Sequence, residues 1–218
     1  MLLQWYTLFL SMQKKQILGV ILAGGASSRF GTDKSAALLG GKPLMAWVVE
    51  RARPQVAALL VNANSDITAV SGIERLADDM RGEGPLAGIL AALEHAAGRG
   101  FTHVASFACD TPFFPHDTVA RLSATLYEVP AGYAVARCGE TVHRIFALWP
   151  VSDLQRLKTA FEGGARSMRS IENWLTAVPV DFPAGGGPEG DPFFNINTSD
   201  DLAAAESWFS GQHDPLRI

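Results

Sequence analysis

Apolar and polar positions alternate along this chain in blocks that switch between strand and helix character. Ile17-Leu-Gly-Val-Ile-Leu-Ala23 is a short, unbroken apolar run ending at Gly24-Gly25, as expected of a strand buried on both faces of a parallel sheet. Pro43 then opens a helical stretch to about Arg53, Pro54 stops it, and Val56–Val61 reads as the second strand, completing one βαβ unit. Glu74–Asp78 reads as a short third strand. After the Arg81-Gly-Glu-Gly-Pro85 turn, Leu86 to Ala97 is a helix rich in alanine and leucine. His103–Ala108 is a fourth strand, and Pro112 forces the chain out of the sheet just after Asp110.

Beyond it the pattern predicts a helix over 117–127, strands over 132–137 and 144–149, helices over 150–162 and 167–175, and a strand over Val178–Phe182. Ala184–Gly190 reads as a mobile loop and Phe193–Asn197 as a short extended piece, after which Thr198 or Ser199 caps a last helix through Trp208. No internal repeat is present. Alternating strands and helices predict a three-layer α/β/α sandwich with a mainly parallel, Rossmann-like sheet, whose ligands sit beyond the carboxyl ends of the strands.

Composition adds limits. At 218 residues, 48% hydrophobic and 18% charged, the chain fits one soluble α/β domain, expected over 16–210 with a tail at 211–218. Its apolar first ten residues lack a basic leading region and a cleavage site and are too few to span a bilayer. Residues 1–15 are therefore expected to be an extension outside the fold, with Met12 as a candidate start. A net charge of −4 argues against a broad nucleic-acid surface, so any phosphate site must be local. Cys109 and Cys138 have no CxxC spacing, which suits buried free thiols in a reducing, cytoplasmic compartment.

Three segments leave predicted strands at one edge: the loop Leu22-Ala-Gly-Gly-Ala-Ser-Ser-Arg-Phe-Gly-Thr-Asp-Lys34, Asn62, and Asp110. Glycines let backbone N–H groups approach an anion, and Arg29 and Lys34 supply cations for triphosphate oxygens. Asp110 is placed to hold a hard divalent cation, with Mg2+ the natural choice. The loop matches neither GxxxxGK[ST] nor GxGxxG, which weakens kinase-type and dinucleotide readings. A tight turn at Gly24-Gly25 and a turn-forming Asp110 before Thr-Pro are the structural alternatives.

LAGGxSxRFGxDK at 22–34, GGKPL at 40–44, VNAN at 61–64, GPLAGI at 84–89 and CDTPF at 109–113 together resemble the molybdenum cofactor guanylyltransferase family, a branch of the nucleotidyltransferases. The likeness runs from about residue 17 to 209. Ala147-Leu-Trp-Pro150, Val180-Asp-Phe-Pro183 and Asp191–Thr198 resemble that family and not the sugar-nucleotide enzymes. The resemblance implies GTP and Mo-molybdopterin as substrates, Mg2+ as cofactor, and transient contacts with proteins that insert the finished cofactor. A monomer is expected.

Residue by residue, the resemblance places Leu22, Ala23, Gly24 and Gly25 along the nucleotide, Arg29 and Lys34 on its phosphates, and Asn62 and Asp78 on the guanosine, with Asp78 preferred to Asp79 from its distance to Gly84-Pro-Leu. It puts Asp110 on Mg2+, which with Lys34 and Arg29 makes up the catalytic set, and Asn195 and Asn197 at the pterin end. It divides the domain into a GTP-binding half, about 16–115, and a molybdopterin-binding half, about 116–210. Two departures stand out: the loop lacks an extra glycine between Arg29 and Lys34, and His143-Arg144 replaces the usual His-Pro. The second adds a cation, Arg144, near the expected pterin site. The alternatives are a cytidylyltransferase for the same cofactor, a sugar- or polyol-phosphate nucleotidyltransferase, and a non-catalytic carrier of the cofactor. Lone His143 reads more readily as a hydrogen-bonded structural group than as a functional one.

Overall fold

The structure, a computed structural model, describes residues 16–23, 37–63, 70–77, 84–129 and 132–211. Its centre is a seven-stranded sheet in the order β5-β4-β1-β6-β8-β7-β9. The strands are β1 (Ile17–Leu22), β4 (Ala58–Asn62), β5 (Glu74–Leu76), β6 (His103–Ala108), β7 (Tyr133–Cys138), β8 (Thr141–Pro150) and β9 (Ala177–Phe182). All run parallel except β8, which pairs antiparallel with both β6 and β7. The mainly parallel sheet expected from the sequence is therefore present, with a single reversed strand inside it.

Four helices cover its two faces: α1 (Leu44–Ala52), α2 (Pro85–Ala97), α3 (Thr118–Glu128) and α4 (Leu154–Glu162). In α1, Met45, Val48, Val49 and Ala52 follow helical spacing and pack in one cluster with Val119, Leu122 and Leu126 of α3. In the opposite cluster, Leu86, Ile89, Leu90 and Leu93 of α2 meet Leu157, Ala160 and Phe161 of α4. The strand residues divide by parity, Ile17 and Ile21 of β1 facing the first cluster and Leu18, Val20 and Leu22 the second. Three layers result. No helix among the described residues is long and apolar enough to cross a membrane.

A third, smaller cluster sits outside this sandwich. Strands β2 (Leu38–Leu39) and β3 (Lys42–Pro43) form a hairpin whose turn, Gly40-Gly41, has φ of +57° and +77° at its two residues. Positive φ at both positions is the conformation that two-residue hairpin turns demand and that glycine supplies without strain. The final helix, α5 (Ser199–Gly211), packs Ala205 against Leu39, Leu44, Phe113 and Ile196. Its start is a reciprocal cap: the Asp201 N–H donates to Thr198 Oγ1 at 3.1 Å, and Asp201 Oδ2 accepts from the N–H groups of Asn197 and Thr198 at 2.8 and 2.9 Å.

Three local expectations are corrected. The helix expected over 167–175 shrinks to one 3-10 turn, Ser170–Asn173. Ser167 and Ser170 exchange side-chain hydrogen bonds with each other's backbone N–H, an arrangement that competes with helical pairing. Pro43 does not open α1 from inside but ends the unforeseen hairpin, with ψ of 138°. The segment 184–190, read as a mobile loop, is a tight turn in which Gly185 N–H donates to Gly190 C=O at 2.7 Å. A Cβ on Gly187 would lie 2.2 Å from the Asp191 carbonyl oxygen, so the turn lies flat against the chain that follows.

Candidate functional site

The carboxyl edge of the sheet gathers the sequence-predicted residues by register. Leu22 pairs with Asn62 on one side and Ala108 on the other, and Asn62 pairs with Leu76, so four strand ends finish in one row. Beyond the row the ladder continues, with Ala23 N–H donating to Asn62 C=O at 2.9 Å and Ala63 N–H to Leu76 C=O at 3.2 Å. The chain thus enters the glycine-rich loop with its direction fixed. Gly24, Gly25, Arg29 and Lys34 of that loop, and Asp78, lie outside the described residues.

Asn62 is 3% exposed, and its Nδ2 donates to the Leu76 carbonyl at 3.1 Å, tying β4 to β5. Its other side is pressed against α2 at Gly88, where a Cβ would stand only 2.3 Å from Asn62 Oδ1 and 2.9 Å from Leu22 Cδ2. Gly88 therefore serves a steric purpose: it lets the first turn of α2 lie directly on the two strand ends. Asn62 is a buried positioning group at the edge as well as a candidate contact.

Asp110 follows β6 directly and is half-buried. The segment 191–197, the predicted pterin end, crosses beside it. Ile196 N–H donates to the Asp110 carbonyl at 2.9 Å, and the buried Thr111 hydroxyl donates to Asn195 Oδ1 at 2.6 Å while standing 3.5 Å from Asp110 Oδ1. Ile196 is fully buried between exposed Asn195 and half-buried Asn197, so the two amides share the open side. Asp110, Asn195 and Asn197 are therefore brought together, across more than eighty residues of sequence.

Arg144 is placed differently. Its Nε donates to Glu172 Oε1 at 2.8 Å, on the side of the sheet covered by α4, with about a quarter of the side chain exposed. Its neighbour His143 faces the opposite side and is the one that meets the 191–197 segment. There its ring lies 4.8 Å from that of Phe193, and Nε2 is 3.2 Å from Asp191 Oδ2. That separation suits an ion pair, yet among the described residues Nε2 finds no hydrogen bond of good geometry. Burial lowers the His143 pKa, with Asp191 opposing more weakly, and we read the ring as neutral at pH 7. Burial, then the same carboxylate, pushes the Cys138 thiol up, which keeps it protonated; Cys109 and Cys138 form no disulfide among the described residues.

Thr111, His143 and Asp191 were not singled out as site residues from the sequence. Thr111 stands inside CDTPF and Asp191 opens DPFFNINT, so both lay within segments already marked; what the sequence lacked was the pairing of Thr111 with Asn195 and of His143 with Asp191. Among the described residues no three His, Cys, Asp or Glu side chains cluster as a metal site.

A family model of the MobA-like NTP transferase domain matches residues 19–180. The chain is 42% identical over 205 residues to a molybdenum cofactor guanylyltransferase of Rhizobium leguminosarum bv. trifolii, covering 91% of this chain and 95% of that protein. It is 42% identical over 200 residues to the protein of the same name from Rhizobium meliloti, covering 87% and 90%. Among solved structures, molybdopterin-guanine dinucleotide biosynthesis protein A from Archaeoglobus fulgidus superposes with a TM-score of 0.68 at 26% identity, covering 87% of this chain and 97% of that one. On these matches the chain belongs to the MobA-like NTP transferases, in the branch of the molybdenum cofactor guanylyltransferases.

Proposed function

We propose that this protein transfers GMP from GTP to the terminal phosphate of Mo-molybdopterin, forming the guanine dinucleotide form of the molybdenum cofactor and releasing pyrophosphate. One observation carries the reading: the ends of β1, β4 and β6 converge on a single edge, beside the 191–197 segment, in a chain 42% identical to named guanylyltransferases over nearly its whole length. An oxygen of the acceptor phosphate attacks the α-phosphorus, and the bond from that phosphorus to the bridging oxygen of the β-phosphate breaks. No protein nucleophile is required, because the acceptor is already ionised at pH 7.

The protein's work is placement and charge. Leu22 and Ala23 line the nucleotide, the glycine loop from Gly24 and Gly25 offers N–H groups to the phosphates, and Arg29 and Lys34 offer cations. Asn62 and Asp78 hold the guanosine, and Asn195 and Asn197 hold the pterin. The half-buried Asp110 carboxylate, at a strand terminus with a hydroxyl beside it, is a hard oxygen site that fits Mg2+. A divalent cation there supplies charge neutralisation at the phosphate oxygens. In this reading residues 16–115 form the GTP half and 116–210 the molybdopterin half, and the reaction runs in the cytoplasm.

Incubation with GTP, Mg2+ and molybdopterin, with product identification and a pyrophosphate assay, tests the reaction. Lys34→Ala is expected to remove most turnover with the fold intact, and near-normal turnover refutes the loop assignment. GTP is expected to raise the melting temperature more than CTP at equal concentration, since stabilisation follows affinity. Equal shifts refute the guanine assignment.

A further inference from the structure

The central sheet forks at one buried serine. At Ser106 the β6 strand is matched on both sides, to Val20 of β1 and to Ala147 of β8. Beyond it Phe107 and Ala108 keep their β1 partners, Ile21 and Leu22, but the register with β8 has ended. Across β8, Val135 and Ala136 of β7 stand opposite Ala147 and His143, so Arg144, Ile145 and Phe146 bulge out of that ladder as well. A bulge re-aims the side chains it carries. Here Arg144 turns to Glu172 on the α4 side, while Phe146 and His143 turn to the other face, where their rings lie 4.9 and 4.8 Å from that of Phe193. Buried Phe193 is thus packed against the bulge, two residues before Asn195.

Ser106 ties that bulge to β6. It is 1% exposed, its hydroxyl donates to the Ile145 carbonyl at 2.5 Å, and its oxygen accepts from Trp149 Nε1 at 2.9 Å. The Ala147 carbonyl, at 3.4 Å, competes poorly for the single proton, so donor and acceptor are each used once in a contact of normal length.

We propose that Ser106 is a positioning residue for the acceptor: by holding the Ile145 carbonyl it fixes the bulge, and the bulge, through Phe146 and His143, seats the 191–197 segment that carries Asn195 and Asn197. The inference rests on the proposed function only for what the segment does once seated.

Ser106→Ala takes the hydroxyl from both partners. Hydrogen exchange of backbone amides, read peptide by peptide by mass spectrometry without any ligand, is expected to quicken severalfold over 191–197 while β1 and β4 keep their protection. In steady-state assays KM for molybdopterin is expected to rise severalfold with KM for GTP unchanged. Ser106→Cys, close in shape with a weaker donor, should fall between the alanine variant and the wild type. Trp149→Phe removes the indole N–H and leaves the bond from Ser106 to Ile145, so it should lower the melting temperature without either local effect.

Unchanged exchange over 191–197 in Ser106→Ala, or in Ser106→Cys where the alanine variant does not fold, overturns the seating. Equal local effects in Trp149→Phe overturn it too, by assigning them to lost stability. Faster exchange with an unaltered KM for molybdopterin overturns the positioning role. A wild-type protein that forms no product from molybdopterin refutes the proposed function instead, and the exchange measurements still decide whether Ser106 seats the segment.

Discussion

Gly88→Ala is the sharpest test of how the sheet edge is built. The added methyl would stand 2.3 Å from Asn62 Oδ1, 2.8 Å from its Cγ and 2.9 Å from Leu22 Cδ2, all inside contact distance. Asn62 is 3% exposed and held by Leu76, and Leu22 is 6% exposed, so neither has room to swing aside. Overpacking of this kind costs about 1–3 kcal/mol, and losing the Asn62–Leu76 hydrogen bond adds about 1 kcal/mol. Alanine's better helix propensity returns about 1 kcal/mol, leaving a net loss of roughly 1–3 kcal/mol. For a chain of this size that lowers the melting temperature by roughly 2–12 °C, readable by circular dichroism. Because the displaced groups lie on the proposed nucleotide side, KM for GTP should rise severalfold while KM for the acceptor changes little. An unchanged or higher melting temperature together with an unchanged KM for GTP would refute the steric argument.

Other outcomes follow from groups away from that edge. Tyr133, fully buried and stacked 4.1 Å from Trp149, has a hydroxyl with no hydrogen-bond partner among the described residues, and burial foremost pushes its pKa up to about 12. Tyr133→Phe should therefore leave stability unchanged or raise it by up to about 1 kcal/mol in urea denaturation, and a loss above about 1 kcal/mol would expose a missed partner. Acid should destabilise the fold below about pH 6.5. His143 and His103 both have pKa values lowered by burial, so the unfolded chain takes up protons there before the folded one does, and stability present above 6.5 is lost as pH falls. Glutamine at both positions should flatten the stability profile between pH 7.5 and 5.5, and an undiminished slope would assign the effect elsewhere.

The elements most legible in the sequence were those bounded by hard punctuation. The β6 strand was placed at its observed ends, His103 and Ala108, because an apolar run met Asp110 and Pro112. The first strand was found almost as closely, since six buried residues in a row leave little choice once Gly24 follows. Where side chains competed with the backbone, pattern failed: helical spacing at 167–175 could not reveal that Ser167 and Ser170 would satisfy each other. The hairpin at 38–43 was invisible because strands of two residues carry no alternation, although Gly40-Gly41 held its turn signal. For the candidate site, motif position led to Asn62, Asp110, Asn195 and Asn197. Their partners lie 14 and 84 residues away in the cases of Asn62 with Leu76 and Thr111 with Asn195, distances at which no local pattern speaks.

The small apolar cluster under α5 carries a consequence for the order in which the molecule is completed. Gly40 N–H donates to Glu206 Oε1 at 2.9 Å across 166 residues, and Phe209 fills the space where Gly40 has no side chain. The hairpin that receives the glycine-rich loop thus has its packing partner at the far end of the chain. A growing polypeptide can fold β1, β4 and β6 early, but the cluster around Leu39 and Leu44 stays only partly covered, by Trp47, Phe113 and Ile196, until residues 199–211 have left the ribosome. The proposed nucleotide-binding end, encoded ahead of α5, is the last to be sealed.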